Sequence, residues 1–218
     1  PDAPSALRPA DNEGEYLVIT TQALKATAQL LADHRSDLRS QVVDIEDVYD
    51  EFNHGISSPY ALRAFLRHAR SRWRTPPRYV VLAADGSYDY KDVLGAGDNL
   101  IPPMMANTPL GLFPSDAWFG ERVKARDREI AIGRLPVTTG GELQEVIRKI
   151  VARESALAAD EAWLRNTLLV ADDADAAGDF LLSSELVASV LPAGTPLARA
   201  YVSVDGAAQV RSDLIGAL

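Results

Sequence analysis

The chain has 218 residues, of which 22 are Lys or Arg and 31 are Asp or Glu, so its formal net charge at pH 7 is −9. This acidic balance excludes a typical nucleic-acid-binding protein, because such a protein needs clustered positive charge to neutralise phosphates. No run approaches the ~18 apolar residues of a membrane-spanning helix. Cysteine is absent, which excludes disulfides, thiolate metal sites and a thiol nucleophile within this chain.

The two ends of the sequence lack the features of a complete domain. Residues 1–14 hold three Pro and four charged residues without periodicity, which predicts a linker. The first residue is Pro1, with no initiating Met, and the chain stops at Leu218, at the close of an amphipathic run. We therefore expect the chain to be a piece of a larger protein.

Apolar strands and amphipathic helices alternate after the linker. Tyr16–Thr20 reads as a buried strand, and the helix that follows over 22–34 has Thr20 or Thr21 as its candidate cap. A second strand and a short helix are predicted over 41–45 and 46–51. A helix with Pro59 in its first turn follows Ser57 or Ser58, and the continuous apolar run 79–84 predicts a strand covered on both faces.

Periodicity disappears between Asp85 and Pro114, which predicts a long loop without regular structure, and then returns. The later predicted elements are a strand over 129–132, a helix over 139–156, a strand over 167–171, a helix over 178–191, a strand over 197–204 and a closing helix. This alternation predicts an α/β fold with mainly parallel sheets flanked by helices. We expect two abutting subdomains that join near 156–164, a first over 15–160 and an incomplete second over 161–218.

Ligands of open parallel sheets bind at the carboxyl ends of the strands, which directs attention to two acidic turns. The turn Asp85-Gly86-Ser87-Tyr88-Asp89 follows the buried strand 79–84. One interpretation is a tight turn in which Asp accepts backbone N–H groups. The other is a Ca²⁺ site formed by Asp85, Asp89, Asp92 and Asp98, because hard cations prefer oxygen ligands.

The second acidic turn, after the strand 167–171, contains Asp172, Asp173, Asp175 and Asp179. Three interpretations are open: a solvated turn that caps the next helix, support of a substrate or a catalytic group, and a metal site. For Asp179 the alternatives are a substrate pocket and a helix cap. The stripe Arg63, Arg67, Arg70 and Arg74 is interpreted as a solvated helix face that pairs with the acidic excess.

Several familiar chemical motifs are missing from the sequence. Gly95-Ala96-Gly97 lacks the third Gly of a dinucleotide-binding loop, there is no Gly-Lys-Ser/Thr of a phosphate loop, and no Gly-x-Ser-x-Gly nucleophile elbow is present. His34, His54 and His68 have no partner at helical spacing. The residues alone therefore predict no catalytic group and require no cofactor.

A series of short segments in order resembles the gingipain family of cysteine endopeptidases, the caspase-like α/β peptidases. The segments that carry the resemblance are Tyr16-Leu17-Val18-Ile19-Thr20, Val48-Tyr49-Asp50-Glu51-Phe52-Asn53, Tyr79-Val80-Val81-Leu82 with Asp85-Gly86-Ser87-Tyr88-Asp89, Ser115-Asp116-Ala117-Trp118-Phe119-Gly120, Ile130-Ala131-Ile132-Gly133-Arg134-Leu135-Pro136 and Leu168-Leu169-Val170-Ala171-Asp172-Asp173. The likeness runs from about residue 15 to the end of the chain.

The resemblance implies a fragment of a secreted or cell-surface endopeptidase that acts on polypeptides. The family's catalytic His and Cys lie beyond the matched region, so the chain alone is expected to be inactive and to need the rest of the peptidase domain, C-terminal to Leu218. The resemblance places Asp172 or Asp173 as the acid that orients the catalytic His, and Asp179 in the substrate pocket. The alternative is a binding or scaffold module that kept the fold without catalysis.

Overall fold

The computed structural model describes residues 5–95, 97, 99–109, 111–120, 130–156 and 166–217. It divides the chain into two compact units, Pro1–Glu154 and Ser155–Leu218. None of the helices in the described part of the chain is long and apolar enough to cross a membrane.

A four-stranded parallel sheet forms the centre of the first unit. Its strands are β1 (Tyr16–Thr20), β2 (Ser40–Asp44), β3 (Tyr79–Leu82) and β6 (Ala131–Arg134), in the spatial order β2-β1-β3-β6. Every residue of β1 is buried, as an inner strand covered on both faces requires. The expectation of an α/β fold with a mainly parallel sheet flanked by helices is confirmed.

Helices connect these strands and cover the sheet. They are α1 (Lys25–His34), α2 (Ile45–Asn53), α3 (Pro59–Arg72), the short α4 (Ala117–Gly120) and α5 (Gly140–Ala156). α3 begins as predicted, because the Ser58 hydroxyl accepts the N–H of Tyr60 and Pro59 occupies the first turn. Its predicted inner stripe, from Leu62 to Trp73, is buried in the core.

Two local predictions were wrong. Neither Thr20 nor Thr21 caps α1, which begins without a side-chain cap after Leu24; the buried Thr20 hydroxyl instead donates to the Ala83 carbonyl at 2.7 Å. The stretch 85–114 is not wholly without regular structure. It contains an antiparallel hairpin of β4 (Met105–Thr108) and β5 (Gly111–Pro114).

The N-terminal residues 5–14, predicted to be a linker, pack on α2 and α3. The carboxylate of Glu51 accepts the Ser5 hydroxyl at 2.7 Å, the Leu7 N–H at 2.7 Å and the Arg8 N–H at 3.1 Å. The indole N–H of Trp73 donates to the Leu7 carbonyl at 2.8 Å. Such contacts between residues far apart in sequence leave no periodic signal. Residues 1–4 lie outside the described part of the chain.

The second unit is smaller and has a two-stranded parallel sheet in its described part. Its elements are β7 (Thr167–Ala171), α6 (Phe180–Ser189), β8 (Leu197–Tyr201), α7 (Val202–Asp205) and α8 (Ala207–Ala217). β8 is shorter than predicted, because the chain turns into α7 directly after Tyr201. The predicted seam over 156–164 falls mostly on residues outside the described ranges.

Candidate functional site

The carboxyl edge of the first sheet is organised by Arg134, the last residue of β6. Its guanidinium donates twice to the carboxylate of Asp116, from Nε at 2.7 Å and from Nη2 at 2.9 Å. The remaining nitrogen, Nη1, donates to the carbonyls of Ala84 and Ile101, each at 2.9 Å. The flat guanidinium can satisfy these four acceptors at once because its donors form a rigid fork. One side chain therefore holds three segments of the loop region together.

Gly86 lies against this junction at a close backbone approach. A Cβ atom at this position would stand 2.2 Å from the Ile101 carbonyl oxygen and 3.0 Å from Nη1 of Arg134. Real Cβ atoms do not approach backbone that closely, so the position requires Gly. The backbone at Gly86 therefore packs directly against the backbone of Ile101.

The acids of this loop accept hydrogen bonds from nearby backbone. Asp85 accepts the N–H of Gly86 at 2.8 Å, the buried Asp89 accepts the N–H of Leu94 at 2.5 Å, and Asp92 accepts the N–H of Gly97 at 3.2 Å. These contacts match the first interpretation of this loop, a tight turn in which Asp side chains accept backbone N–H groups.

Calcium binding by this loop stays a prediction. Asp98, the fourth candidate ligand, lies outside the described residues. Among the described residues, which include Asp85, Asp89 and Asp92, no group of three His, Asp or Glu side chains is arranged to hold a metal ion. Melting the protein with added calcium and with a chelator tests the hypothesis, because a ligand raises the melting temperature by mass action.

The acidic turn of the second unit lies directly after β7. Asp172 accepts the N–H of Asp173 at 2.8 Å, and Asp175 accepts the N–H of Ala177 at 2.7 Å. Asp179 is the cap of α6, where its Oδ1 accepts the N–H of Leu182 at 2.8 Å. Of the two interpretations of Asp179, the cap is the arrangement present in this structure, and the roles in substrate binding and His orientation stay predictions.

A polar network that the sequence did not indicate joins α6 to β8. Arg199 donates to Glu185 from Nε at 2.7 Å and from Nη2 at 3.1 Å, and the Tyr201 hydroxyl donates to Glu185 at 2.6 Å. The hydrogen bonds from Arg199, followed by that from Tyr201, lower the pKa of Glu185 to about 2. These hydrogen bonds link the helix to the strand.

A tyrosine-rich cleft of about 490 Å³ opens beside the loop that follows β3. We call it the tyrosine cleft; its walls include Tyr60, Tyr88, Tyr90, Pro59, Met105 and Leu112. The chain brings these residues together from the start of α3, from the loop and from the β4–β5 hairpin. The sequence did not indicate the cleft, since its lining residues belong to three separate segments.

The family model described as peptidase family C25 matches residues 9–217. The chain belongs to peptidase family C25, the gingipain family. The resemblance inferred from the short motifs is thereby confirmed, and it extends over both units.

One solved structure supports the fold of this C25 chain. A crystal structure of dimeric latent PorU from Porphyromonas gingivalis matches with a TM-score of 0.58 at 23% identity, over 81% of this chain and 20% of the PorU chain. A structure described only as a protease matches with a TM-score of 0.48 at 16% identity, over 74% of this chain and 33% of that chain. The chain thus spans a fifth of the length of PorU. No curated protein matches it significantly in sequence.

Proposed function

We propose that this C25 chain is the N-terminal part of a gingipain-like cysteine endopeptidase and that the catalytic dyad is supplied by further chain. The observation that carries the proposal is the match to a cysteine-peptidase family over residues 9–217 of a chain that contains no Cys. Peptide-bond cleavage by this class needs a thiolate that attacks the carbonyl carbon and a base that activates the thiol. The thiolate attack is not possible with the side chains of this chain alone, because it has no Cys.

The surface of the second unit supports the proposal that more chain packs on it. α6 and the residue after it carry exposed apolar side chains: Leu182 and Leu186 in the helix are 56% and 62% exposed, and Val190 at its C-cap is 79% exposed. Val170 in β7 is also 42% exposed. Parallel sheets are normally covered on both faces, and apolar surface of this kind is characteristic of an interface. Additional strands and helices of the peptidase domain would cover it.

The acidic turn after β7 is the part of this chain that we expect to serve catalysis. Asp172 or Asp173 would orient the catalytic His, since a carboxylate that accepts the ring N–H fixes the tautomer of the base. Asp179 would meet a basic side chain of the substrate through its second oxygen while Oδ1 caps α6. The polypeptide substrate and a secreted or cell-surface location are part of the same proposal.

A comparison of the 218-residue chain with the longer protein tests the proposal. We expect the longer protein to cleave peptide amides and to lose this activity on alkylation with iodoacetamide, while the chain alone is inactive. Cleavage by the chain alone would show that no added dyad is needed. A longer protein that has no Cys after an apolar strand and no peptidase activity would instead support the alternative, a binding or scaffold module.

The role of Asp179 is tested by Asp179→Asn in the longer protein. Asn caps helices about as well as Asp, so the fold is preserved while the charge is lost. We expect cleavage after basic residues to fall selectively, because the carboxylate that attracts the basic side chain is gone. Asp175→Asn, in the same turn, is the matched control. Equal effects of Asp179→Asn on basic and uncharged substrates would contradict the pocket role.

A further inference from the structure

The tyrosine cleft has a second, smaller compartment of about 170 Å³ whose lining combines Pro residues with polar side chains. Pro59, Tyr60 and Tyr90 separate the two compartments and line both of them. Ser57 and Ser58 add hydroxyl groups to the smaller one. The whole cleft therefore combines an apolar, aromatic body with a hydroxyl-rich end, the usual composition of a binding site.

A buried hydroxyl without a partner lies next to this polar end. Tyr49 is 2% exposed, and its hydroxyl finds no hydrogen-bond partner among the described residues. Burial raises the pKa of Tyr49 to about 12, and the neighbouring Ser57 hydroxyl opposes this shift without reaching hydrogen-bond geometry. An unpaired buried hydroxyl costs free energy, but Tyr49 itself lines neither compartment, so Ser57 is the residue of this pair that presents a hydroxyl to the cleft.

The aromatic walls are open to a ligand and partly held in place. Tyr60 is 66% exposed, Tyr88 is 64% exposed and Leu112 is 65% exposed. The Tyr90 hydroxyl donates to the Pro103 carbonyl, which fixes the position of that ring. Rigid aromatic side chains contribute contact area with little loss of conformational entropy, because they have few rotatable bonds.

The charges of the site restrict what it can bind. None of the described residues that line the two compartments is charged, and the chain as a whole carries −9. Anionic ligands are therefore unfavourable, and a charge pushed into the cleft would lose hydration without gaining a partner. The occupant that fits is neutral where it enters the cleft.

The remaining hydrogen-bonding groups can donate to a ligand: the Ser58 hydroxyl already accepts the Tyr60 N–H at 3.2 Å and can still donate its own proton. Asn99 lines the smaller compartment, but its amide is already used, with Oδ1 accepting the Ser87 N–H at 2.9 Å and Nδ2 donating to the Ser87 carbonyl at 2.7 Å. What remains is a set of hydroxyl groups. A polyproline II segment suits these groups, because its carbonyls make no internal hydrogen bonds and its Pro residues have no N–H to satisfy.

We propose that the tyrosine cleft binds an uncharged, proline-rich polypeptide segment in the polyproline II conformation. Pyrrolidine rings pack against Tyr60, Tyr88 and Leu112, and a backbone carbonyl of the ligand accepts from the hydroxyl groups at the polar end. Aromatic-lined grooves recognise such segments because the ligand is already ordered before it binds. The proposal is independent of any peptidase activity in a longer protein.

Calorimetric titration of the 218-residue chain with acetylated, amidated decaproline tests the proposal. We expect saturable binding that Tyr60→Ala and Tyr88→Ala each weaken by roughly tenfold, as expected for aromatic anchors of an interface. Tyr79→Ala is the matched control, because this half-exposed Tyr begins β3, at the opposite end of the strand. We expect it to leave the affinity unchanged. Amide chemical-shift mapping on the unchanged protein should place the ligand at residues 57–60, 88–90 and 112.

Three results would overturn the proposal. The first is the absence of saturable binding by decaproline, and the second is equal binding of a Gly-Ser peptide of the same length. The third is saturation by a neutral oligosaccharide such as maltohexaose without any binding of decaproline, which would assign the cleft to carbohydrate. If Tyr60→Ala fails to fold, Tyr60→Phe and the chemical-shift map decide between these outcomes.

Discussion

Replacement of Arg134 by Met should destabilise the first unit by about 3 kcal/mol, since it leaves several polar groups without their donor. The side chains of Arg134 and Asp116 are 14% and 22% exposed, so the pair is largely removed from water. Arg134→Met leaves the Asp116 carboxylate unpaired and removes a donor from the carbonyls of the buried residues Ala84 and Ile101. Residual solvent access to the carboxylate keeps the estimate at the lower end of the range for a broken buried pair.

Two further variants separate charge from geometry. Arg134→Lys keeps the positive charge but cannot present the forked donors, so about 2 kcal/mol should still be lost. The double variant Arg134→Met with Asp116→Leu should recover part of the loss, because it leaves no unpaired charge. Arg148→Met is the control: its pair with Glu145 lies on the exposed face of α5, with side chains 64% and 61% exposed, and should contribute less than ~0.5 kcal/mol.

Urea unfolding followed by tryptophan fluorescence measures these differences. The buried Trp73 and the half-exposed Trp118 both report on the first unit. A midpoint shift at unchanged slope gives the change in free energy of unfolding. The free energy of unfolding of Arg134→Met could instead lie within about 0.5 kcal/mol of the values for the unchanged protein and for Arg148→Met. That result would show that the four hydrogen bonds of Arg134 do not hold the loop segments together.

Two other predictions concern single groups of the first unit. Glu154 accepts hydrogen bonds from Arg35, which lower its pKa to about 2, and from His34 at 2.7 Å. Because this folded-state pKa lies below the usual value of 4.5, the stabilisation is full above the unfolded-state value and is lost as the pH falls towards 2. Urea unfolding at pH 7 should therefore show Glu154→Gln less stable than the unchanged protein by about 1 kcal/mol, after allowance for solvent screening. Near pH 2 the two proteins should be equally stable. A difference that stays constant with pH would contradict this prediction. Gly86→Ala should cost about 2 kcal/mol by overpacking against Ile101, while Gly133→Ala, whose Cβ would meet nothing within 4 Å, should melt within a few degrees of the unchanged protein.

The sequence predicted the elements whose burial leaves a pattern. β3 shows as an unbroken apolar run, and α3 shows as a capped helix with an apolar stripe. The β4–β5 hairpin left no such signal, because all four residues of β5 are exposed and β4 has no buried residue. A hairpin on the surface is not required to alternate apolar and polar side chains.

Less of the candidate site than of the fold could be predicted from the sequence. The capping of α6 by Asp179 was one of the two open interpretations, since the carboxylate and the N–H that it accepts are three residues apart. The pairing of Arg134 with Asp116, and the meeting of Tyr60 with Tyr88, depend on the positions of separate segments after folding. Local sequence patterns do not show which residues of separate segments come together after folding. The order of the short motifs along the chain did identify the family, peptidase family C25.

The anchoring of residues 5–8 to Glu51 and Trp73 has a consequence for proteolysis. A protease binds its substrate as an extended strand, so cleavage within 5–14 requires this segment to peel away from α2 and α3 first. The cleavage rate at low protease concentration then reports the free energy of that local opening. Glu51→Ala should accelerate cleavage in this segment, while the rate of cleavage within the central sheet stays unchanged. A single surface carboxylate therefore sets how readily a protease can remove residues 5–14.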